Sequence, residues 1–264
     1  MNNSAPKVSI ITPMHNDSSF VRQTIESVLS QTFNDWEMLI VDDNSSDGSL
    51  AVAKEYESKQ IRVFHNEKNM GAAYSRNVAL REARGDFIAF LDADDWWAPE
   101  KLEKQIRFME NLKIDFSCTA YYRCRLDGSR VITTAPYIIG KKVMRACDYV
   151  GCLTAMYRRE KIGLIQVEPS IKKRNDYAIW LQVSKKANCY FLAEPLAYYR
   201  VREGSISHVP AFRLLRYHKH LFRKQMKYCW VHSWFCALRN GYFSMKKRKD
   251  YVVPEGTQLD QVFF

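Results

Sequence analysis

The chain has 264 residues, of which 47% are apolar and 26% are charged. This composition is typical of a globular protein, and the length allows one full hydrophobic core, with or without an appendage. No apolar run approaches the roughly 20 residues that a membrane-spanning helix needs, and the polar start of the chain shows no signal peptide. Seven cysteines without zinc-ligand spacing favour reduced thiols in a cytosolic compartment over a disulfide framework.

The formal net charge of +11 is concentrated near one end of the chain. Residues 211–249 contain eleven Lys or Arg and no Asp or Glu, whereas the rest of the chain has 29 basic and 29 acidic residues. The body is therefore formally neutral. Together with the lack of a nucleic-acid-binding motif, this neutrality argues against a nucleic acid as the partner.

Short apolar, β-branched runs alternate with amphipathic segments through the first hundred residues. The runs predict strands at residues 7–12, 36–41, 61–64 and 86–92. The amphipathic segments predict helices at residues 21–29, 50–56 and 72–83, and one that begins at Pro99. Further strands are expected at residues 115–125, before a hairpin turn at 127–128, and at residues 152–157 and 189–192. The alternation predicts an α/β fold with a mostly parallel, doubly wound central sheet flanked by helices.

Polar residues follow the predicted strands at the point where each strand ends. Thr12 and Pro13 follow the first strand, and Asp42 and Asp43 follow the second. Because ligands of open α/β sheets bind at the carboxyl ends of the strands, these residues are expected to converge on one crevice. The carboxylate of Asp42 or Asp43 can accept hydrogen bonds from a base or a ribose. Alternatively, both are turn residues, since Asp-Asn-Ser-Ser-Asp-Gly is also good turn chemistry.

Three carboxylates end the fourth strand: Asp92, Asp94 and Asp95. Three acids within four residues repel one another, and a divalent cation with oxygen ligands, Mg²⁺ or Mn²⁺, would compensate them and bind a substrate phosphate. The alternative is that Asp94 or Asp95 caps the helix that Pro99 begins. No GxGxxG follows the first strand and no GxxxxGK[ST] occurs, so dinucleotide redox chemistry and P-loop hydrolysis both lose support.

Four segments together resemble family 2 glycosyltransferases with the GT-A fold. They are residues 8–16 (VSIITPMHN), 41–49 (VDDNSSDGS), 69–77 (NMGAAYSRN) and 90–95 (FLDADD). The resemblance implies transfer of a sugar from a nucleotide sugar, with inversion at the anomeric carbon. It also implies a donor that is bound with Mn²⁺ or Mg²⁺ through the Asp-x-Asp motif.

The resemblance assigns donor contacts to the strand ends. Thr12 and Pro13 would border the nucleobase, Asp42 or Asp43 would hold the base or the ribose, and Arg76 would lie near the base.

The acids after the fourth strand also receive roles from the resemblance. Asp92 would lie by the ribose and the sugar, and Asp94 would bind the metal that bridges the diphosphate. Asp95 would support either of them.

Residues 172–181 (KKRNDYAIWL) resemble the family's Glu-Asp-x-x-x-Trp-Leu segment, in which the Asp starts a helix and acts as the catalytic base. Asp176 would be that base. The sequence departs from the family at Asn175, where Glu is common, which leaves open the partner that orients the acceptor. The alternative is that Asp176 caps a helix whose core positions include Ile179 and Trp180.

Residues 197–207 (AYYRVREGSIS) resemble the family's Tyr-Arg-x-His-x-x-Ser-x-Ser element. Arg202 stands where His is common; an arginine cannot ligate a metal and would meet the diphosphate directly. Arg200 is the second candidate. The two alternate on an extended segment and are expected to point to opposite sides, with Arg202 facing the diphosphate. His208 is an alternative replacement for the family's His.

The resemblance implies a GT-A catalytic domain at residues 1–208, with a nucleotide-sugar half to about residue 98 and an acceptor half from about 99. A helical region would follow at residues 209–264. On family grounds the donor is a UDP-sugar that provides a hexose. The acceptor is a lipid-linked saccharide of the undecaprenyl diphosphate type, in bacterial O-antigen or capsule synthesis. The expected location is cytoplasmic, peripheral on the inner membrane.

The C-terminal region has the pattern of a basic amphipathic helix. Its basic face comprises Arg213, Arg216, His220, Arg223 and Lys227. With the aromatic residues that follow, it fits an anionic membrane surface. Alternatively, the apolar face, which includes Leu221 and Phe222, packs on the catalytic domain and the charges are solvated. A non-catalytic nucleic-acid- or membrane-binding protein is the competing function.

Overall fold

Eleven strands and nine helices form within residues 5–202 and 211–259, the parts of the chain that this computed structural model describes. The strands are β1 (Val8–Met14), β2 (Trp36–Asp42), β3 (Ile61–His65), β4 (Phe87–Phe90), β5 (Trp96–Trp97), β6 (Phe116–Cys124), β7 (Arg130–Thr133), β8 (Ile138–Ile139), β9 (Met156–Arg158), β10 (Cys189–Arg200) and β11 (Val252–Pro254). The helices are α1 (Val21–Leu29), α2 (Ser49–Glu55), α3 (Ala72–Glu82), α4 (Lys101–Asn111), α5 (Lys141–Ala146), α6 (Arg159–Ile162), α7 (Asn175–Val183), α8 (Ala211–Lys224) and α9 (Trp230–Asp250). The predicted α/β class is confirmed.

The first half of the chain forms a parallel block in the order β4-β1-β2-β3. β1 is buried along its whole length because helices cover both faces of the sheet. Ile10 and Met38 point into one hydrophobic cluster, and Ile11 and Leu39 point into the other. The alternation of side chains along each strand thus builds a core on each face.

The second half of the chain extends the sheet with mainly antiparallel pairings. β9 lies antiparallel between β4 and β6, and β7 and β11 continue the sheet beyond β6. The predicted strand at residues 152–157 is wrong in its first half, where Cys152–Thr154 forms a 3₁₀ turn. There the carbonyls of Leu153 and Thr154 accept hydrogen bonds from the side chains of Trp97 and Gln105, so they are not available to a strand ladder.

The C-terminal region forms two antiparallel helices, α8 and α9. Leu215 of α8 lies against Gly241 of α9, and the ammonium of Lys219 lies 5.0 Å from the ring centroid of Trp234. The break falls at residues 225–229, where Lys227 has a φ of 56°. None of the described helices has the length and apolar content needed to cross a lipid bilayer.

The apolar face of α8 packs on the body of the protein that contains the central sheet. Leu221 and Phe222 are completely buried in the larger hydrophobic cluster, which they share with strands of the central sheet. Arg213 and Arg223 on the predicted basic face are exposed. The contacts of α8 therefore agree with the alternative in which its apolar face packs on the body and its charges are solvated. It leaves the basic face accessible.

Gly85 allows β1 and the start of β4 to approach each other closely. A Cβ atom on Gly85 would lie 2.5 Å from the backbone nitrogen of Ser9 and 2.7 Å from the carbonyl carbon of Val8. The amide of Gly85 also donates a 2.8 Å hydrogen bond to Ser9 Oγ. Any side chain at this position would push apart the two strands that carry Thr12 and Asp92 to the crevice.

We expect Gly85→Ala to lower the free energy of unfolding by about 1–3 kcal/mol, the usual cost of overpacking a core. Gly140→Ala is the matched control, because its added Cβ would meet only the side-chain oxygen of Asn188, at 3.3 Å. Urea denaturation of both variants measures the difference. An equal cost for the two substitutions would contradict the role given to Gly85.

Candidate active site

The carboxyl ends of three parallel strands meet at one edge of the sheet. β1 lies between β2 and β4, and Thr12 and Pro13 are paired with Ile40 and Val41 of β2. The amide of Leu91, just after β4, donates to the carbonyl of Ile11, so the chain continues beside β1 toward the carboxylates. Thr12 is buried, and its hydroxyl has no hydrogen-bond partner among the described residues. The predicted convergence of the strand ends is confirmed.

Asp42 and Asp43 are buried at this edge, and both bind nearby loops. Asp42 accepts hydrogen bonds from the amide and hydroxyl of Ser45 and pairs with Nδ1 of His65 at 2.9 Å. Asp43 accepts hydrogen bonds from the amides of Gly71, at 2.6 Å, and of the residue before it. It thereby ties the loop before α3 to the end of β2. These contacts agree with the turn alternative, and a contact of either acid with a nucleotide stays a prediction.

The three acids after β4 differ in exposure. The carboxylates of Asp92 and Asp94 keep 31% and 18% of their surface exposed, whereas Asp95 is buried and accepts a 2.9 Å hydrogen bond from the amide of Arg200. The capping alternative is wrong, because α4 begins at Lys101 with Glu100 as its N-cap residue. Asp95 therefore holds the end of β10 in place, whereas Asp92 and Asp94 face the crevice.

Negative charge is crowded in this crevice. Burial and the neighbouring carboxylate of Asp92 raise the pKa of Asp94 to about 6, although Arg202 opposes the shift. Burial, followed by the charges of Asp94 and Asp92, raises the pKa of Asp95 well above its usual value. Asp17, which sequence reasoning missed, adds a fourth carboxylate whose pKa burial also raises. Asp17 lies in the polar run that follows the end of β1 at Met14, and this position is the sequence signal that could have identified it as a site residue.

The carboxylate oxygens at this end of the sheet suit a divalent cation. Carboxylate oxygens are the ligands that Mg²⁺ and Mn²⁺ prefer, and a cation would offset the repulsion between Asp92 and Asp94. Within residues 5–202 and 211–259, no three His, Cys, Asp or Glu side chains form a complete ligand set. A cation held by Asp94 would therefore take further ligands from phosphate and water, as Mg²⁺ commonly does.

Both candidate arginines reach the segment of Asp94. Arg202 bridges Asp94 Oδ2, at 2.5 Å, and Asp17 Oδ1, at 3.0 Å, whereas Arg200 donates from Nε to the backbone carbonyl of Asp94 at 3.0 Å. Both guanidinium carbons also lie within 5 Å of the ring centroid of Phe20. The expectation that the two side chains point to opposite sides is wrong, because β10 ends at Arg200 and strand alternation does not extend to Arg202. Which of them would face a diphosphate stays a prediction. His208, the other candidate, lies outside the described residues.

Arg76 connects the carboxylates to the segment of the predicted base. It is 4% exposed and donates to Oδ1 of both Asp92 and Asn175, and it lies 3.5 Å from Sγ of Cys152. Burial alone would lower the pKa of Arg76, but the charges of Asp92, Cys152 and Asp176 outweigh burial and raise it. The guanidinium therefore stays positive between two acidic groups. Its expected contact with a nucleobase stays a prediction.

Asp176 lies in the first turn of α7 and is partly exposed. The capping alternative does not hold, because Arg174 is the N-cap residue and no side chain caps the helix. Trp180, on the buried face of α7, lies edge-on to Phe90 with ring centroids 5.0 Å apart. Since Phe90 precedes Asp92 by two residues, this contact fixes α7 beside the acidic cluster.

The C-terminal helices hold the start of α7, a feature that sequence reasoning missed. Arg174 Nε donates to Nε2 of His218 in α8 at 3.0 Å, and its guanidinium lies 3.7 Å from the carboxylate of Asp148. Burial and the charge of Arg174 lower the pKa of His218 to about 3, so its imidazole is neutral and accepts this bond. Lys247 of α9 donates to the carbonyl of Asp148 at 2.7 Å. These residues are far apart in sequence, and no local pattern connects them.

The sequence of this chain is similar to those of known proteins. The sequence model described as "Glycosyl transferase family 2" matches residues 9–161. The chain is 42% identical over 212 residues to TuaG of Bacillus subtilis (strain 168), a glycosyltransferase assigned to teichuronic acid biosynthesis, covering 78% of this chain and 84% of TuaG. It is 37% identical over 206 residues to WfgD of Escherichia coli, a UDP-Glc:alpha-D-GlcNAc-diphosphoundecaprenol beta-1,3-glucosyltransferase, covering 76% of this chain and 79% of WfgD.

Solved structures show the same fold. TarS residues 1–349 from S. aureus, in complex with UDP-GlcNAc, superposes with a TM-score of 0.70 over 97% of this chain and 77% of that chain, at 20% identity. The mannosyltransferase PcManGT from Pyrobaculum calidifontis, in complex with GDP-Man and Mn²⁺, gives a TM-score of 0.63 over 94% of this chain and 74% of that chain, at 14% identity.

The contacts of the two arginines predict different consequences of truncation. Arg202→Ala should weaken UDP binding at least tenfold, because Asp17 and Asp94, whose side chains are only 10% and 18% exposed, would then lack a guanidinium beside the diphosphate. Arg200→Ala should lower the melting temperature, since its side chain holds the Asp94 carbonyl and stacks 4.6 Å from the ring centroid of Trp96. Calorimetric titration with UDP and thermal melting separate the two. Weaker UDP binding by Arg200→Ala alone would reverse the assignment.

Proposed function

Because the chain belongs to glycosyltransferase family 2, we propose that it transfers a hexose, with inversion, from a UDP-sugar to a hydroxyl of a lipid-linked saccharide. One observation carries the proposal. A single buried arginine, Arg76, connects the carboxylate of Asp92 in the donor crevice with Asn175, the residue before the candidate base. The donor motifs and the acceptor-side base thus meet in one site.

The relatives support the choice of substrates. The name of WfgD specifies UDP-Glc as donor and a diphosphoundecaprenol-linked saccharide as acceptor, and TuaG is assigned to a cell-surface polymer. We therefore propose an undecaprenyl diphosphate-type acceptor and a role in bacterial surface polysaccharide synthesis. An acceptor of this kind lies in the membrane, which supports a peripheral position on the anionic cytoplasmic face of the inner membrane.

The donor side of the mechanism depends on charge. Asp94 would hold a divalent cation, which would neutralise the charge that grows on the departing diphosphate. Arg202 lies beside Asp94 and is able to turn toward a phosphate oxygen. Because arginine keeps its proton at every physiological pH, this contact does not depend on proton exchange.

The acceptor side needs a base on the opposite face of the sugar. Asp176 would accept the proton of the acceptor hydroxyl as that oxygen attacks the anomeric carbon. Inversion requires the base and the leaving group on opposite sides, as in inverting glycoside hydrolysis. Arg76 lies between Asp92 and Asp176 and offsets their mutual repulsion, and Asp176 lies at the amino end of α7, where the helix dipole is positive.

We expect Asp94→Asn to abolish sugar transfer and to weaken Mn²⁺-dependent UDP binding, because the amide lacks the charge that holds the cation. Asp86→Asn is the matched control at a side chain that is 61% exposed. UDP titrations with and without Mn²⁺, together with a radiolabelled transfer assay, provide the measurement. Unchanged activity and unchanged metal dependence in Asp94→Asn would remove this residue from the metal site.

Asp176→Asn should leave UDP affinity intact and reduce turnover by roughly 10²–10⁴-fold, the usual contribution of general-base catalysis. Single-turnover transfer to an undecaprenyl diphosphate-linked saccharide measures the chemical step directly. A loss of UDP binding, or a large fall in melting temperature, would instead show that Asp176 has a structural role.

A further inference from the structure

Helix α9 presents an apolar stripe to solvent. Six large side chains form it, each between 57% and 70% exposed: Trp230, Val231, Phe235, Leu238, Tyr242 and Met245. Five of them recur at intervals of four and three residues, so they lie on one face of the helix. The opposite face, which includes Ala237 and Asn240, is buried against the body.

This surface is unusual for a helix on a globular domain. Single exposed apolar residues are normal, but a row of five on one helical face is typical of an interaction site. The stripe runs from Trp230 to Met245 and therefore extends over about 22 Å. Polar groups on its buried face already have partners, since Asn240 Nδ2 donates to the hydroxyl of Tyr177 at 2.8 Å. Only the apolar face is therefore available for a new contact.

Cations flank the stripe along its length. Arg239 lies 5.9 Å from the ring centroid of Phe235, and Lys219 of α8 lies 5.0 Å from that of Trp234. Lys246 and Lys249 are exposed near the end of α9. Asp250, the last residue of α9, is the only acid on these two helices, against eleven Lys or Arg in residues 211–249. The surface is thus apolar in the middle and positive at its borders.

This pattern favours a lipid surface over a second copy of the chain. A second copy packed stripe to stripe would bring a surface of the same positive sign against these cations, with Asp250 as the only acid on each α9. An anionic bilayer provides negative headgroups for the cations and an apolar layer for the stripe. Trp and Tyr beside aliphatic residues are also typical of side chains at a membrane interface.

We propose that the α9 stripe inserts into the headgroup–acyl boundary of an anionic bilayer. The proposal deepens the proposed function, because it names the surface that makes the peripheral contact. It also orients the active site. Asn240, on the face opposite the stripe, contacts Tyr177, the neighbour of Asp176 in α7. The hydroxyl of Tyr177 therefore lies across α9 from the stripe, one helix diameter or ~10 Å from the bilayer, which brings α7 toward the membrane that carries the lipid diphosphate.

Vesicle flotation tests the proposal. The full chain is mixed with vesicles of phosphatidylglycerol and phosphatidylcholine, or of phosphatidylcholine alone. Binding should require the anionic lipid and should fall at least tenfold in the double variant Phe235→Ser, Leu238→Ser. The control is Leu126→Ser, Leu164→Ser, two positions outside α9 that are 72% and 60% exposed. This control should float like the unmodified chain.

Three outcomes would overturn the proposal: no flotation with anionic vesicles, the same loss of binding in the control, or a dimer in sedimentation that the stripe variant dissociates. UDP-sugar hydrolysis in solution is measured in parallel and should be unchanged in the stripe variant. A chain that floats but neither hydrolyses nor transfers sugar would refute the proposed function and leave the membrane surface intact. A chain that hydrolyses UDP-sugar but does not float would refute the membrane surface and leave the proposed function intact.

Discussion

The buried guanidinium of Arg76 is the interaction on which the site depends. It is 4% exposed and pairs with Asp92 from the β4 side and with Asn175 at the start of α7. Removal of a buried charge leaves its partner without compensation, which commonly costs about 3–5 kcal/mol. Here the uncompensated group would be Asp92, which already faces the charge of Asp94. The charge balance around Asp92 and Asp94 and the position of the start of α7 thus both depend on the Arg76 side chain.

The C-terminal helices also hold the start of α7, which carries the candidate base Asp176, in place. Arg174 adopts a left-handed φ of 63° at the start of α7, and its side chain is held by His218 and Asp148. A non-glycine residue in this region is uncommon and needs surrounding contacts to keep it there. Asn240 then fixes the hydroxyl of Tyr177. The region that resembled a separate appendage in sequence therefore contributes to the geometry around Asp176.

The sequence predicted the features that depend on local patterns. The apolar runs located β1 and β2, the polar residues after them identified the crevice, and the ordered motifs indicated the family. It failed where tertiary contacts decide. Side chains from other elements bind the carbonyls of Leu153 and Thr154 and replace the expected strand with a turn. Asp148 reaches the base segment only through packing, so no periodicity in the sequence reveals it.

The separation of charge in this chain also favours one orientation at a membrane. Asp17, Asp92 and Asp94 make the crevice acidic, whereas α8 and α9 carry many cations and a single acid, Asp250 at the end of α9. An anionic bilayer attracts the helices and repels the crevice until a cation and Arg202 neutralise it. Since the donor is itself a diphosphate, the same neutralisation serves donor binding. In the proposed orientation, these charges would keep the crevice away from the lipid, while the buried face of α9 would hold α7 close to a lipid-linked acceptor.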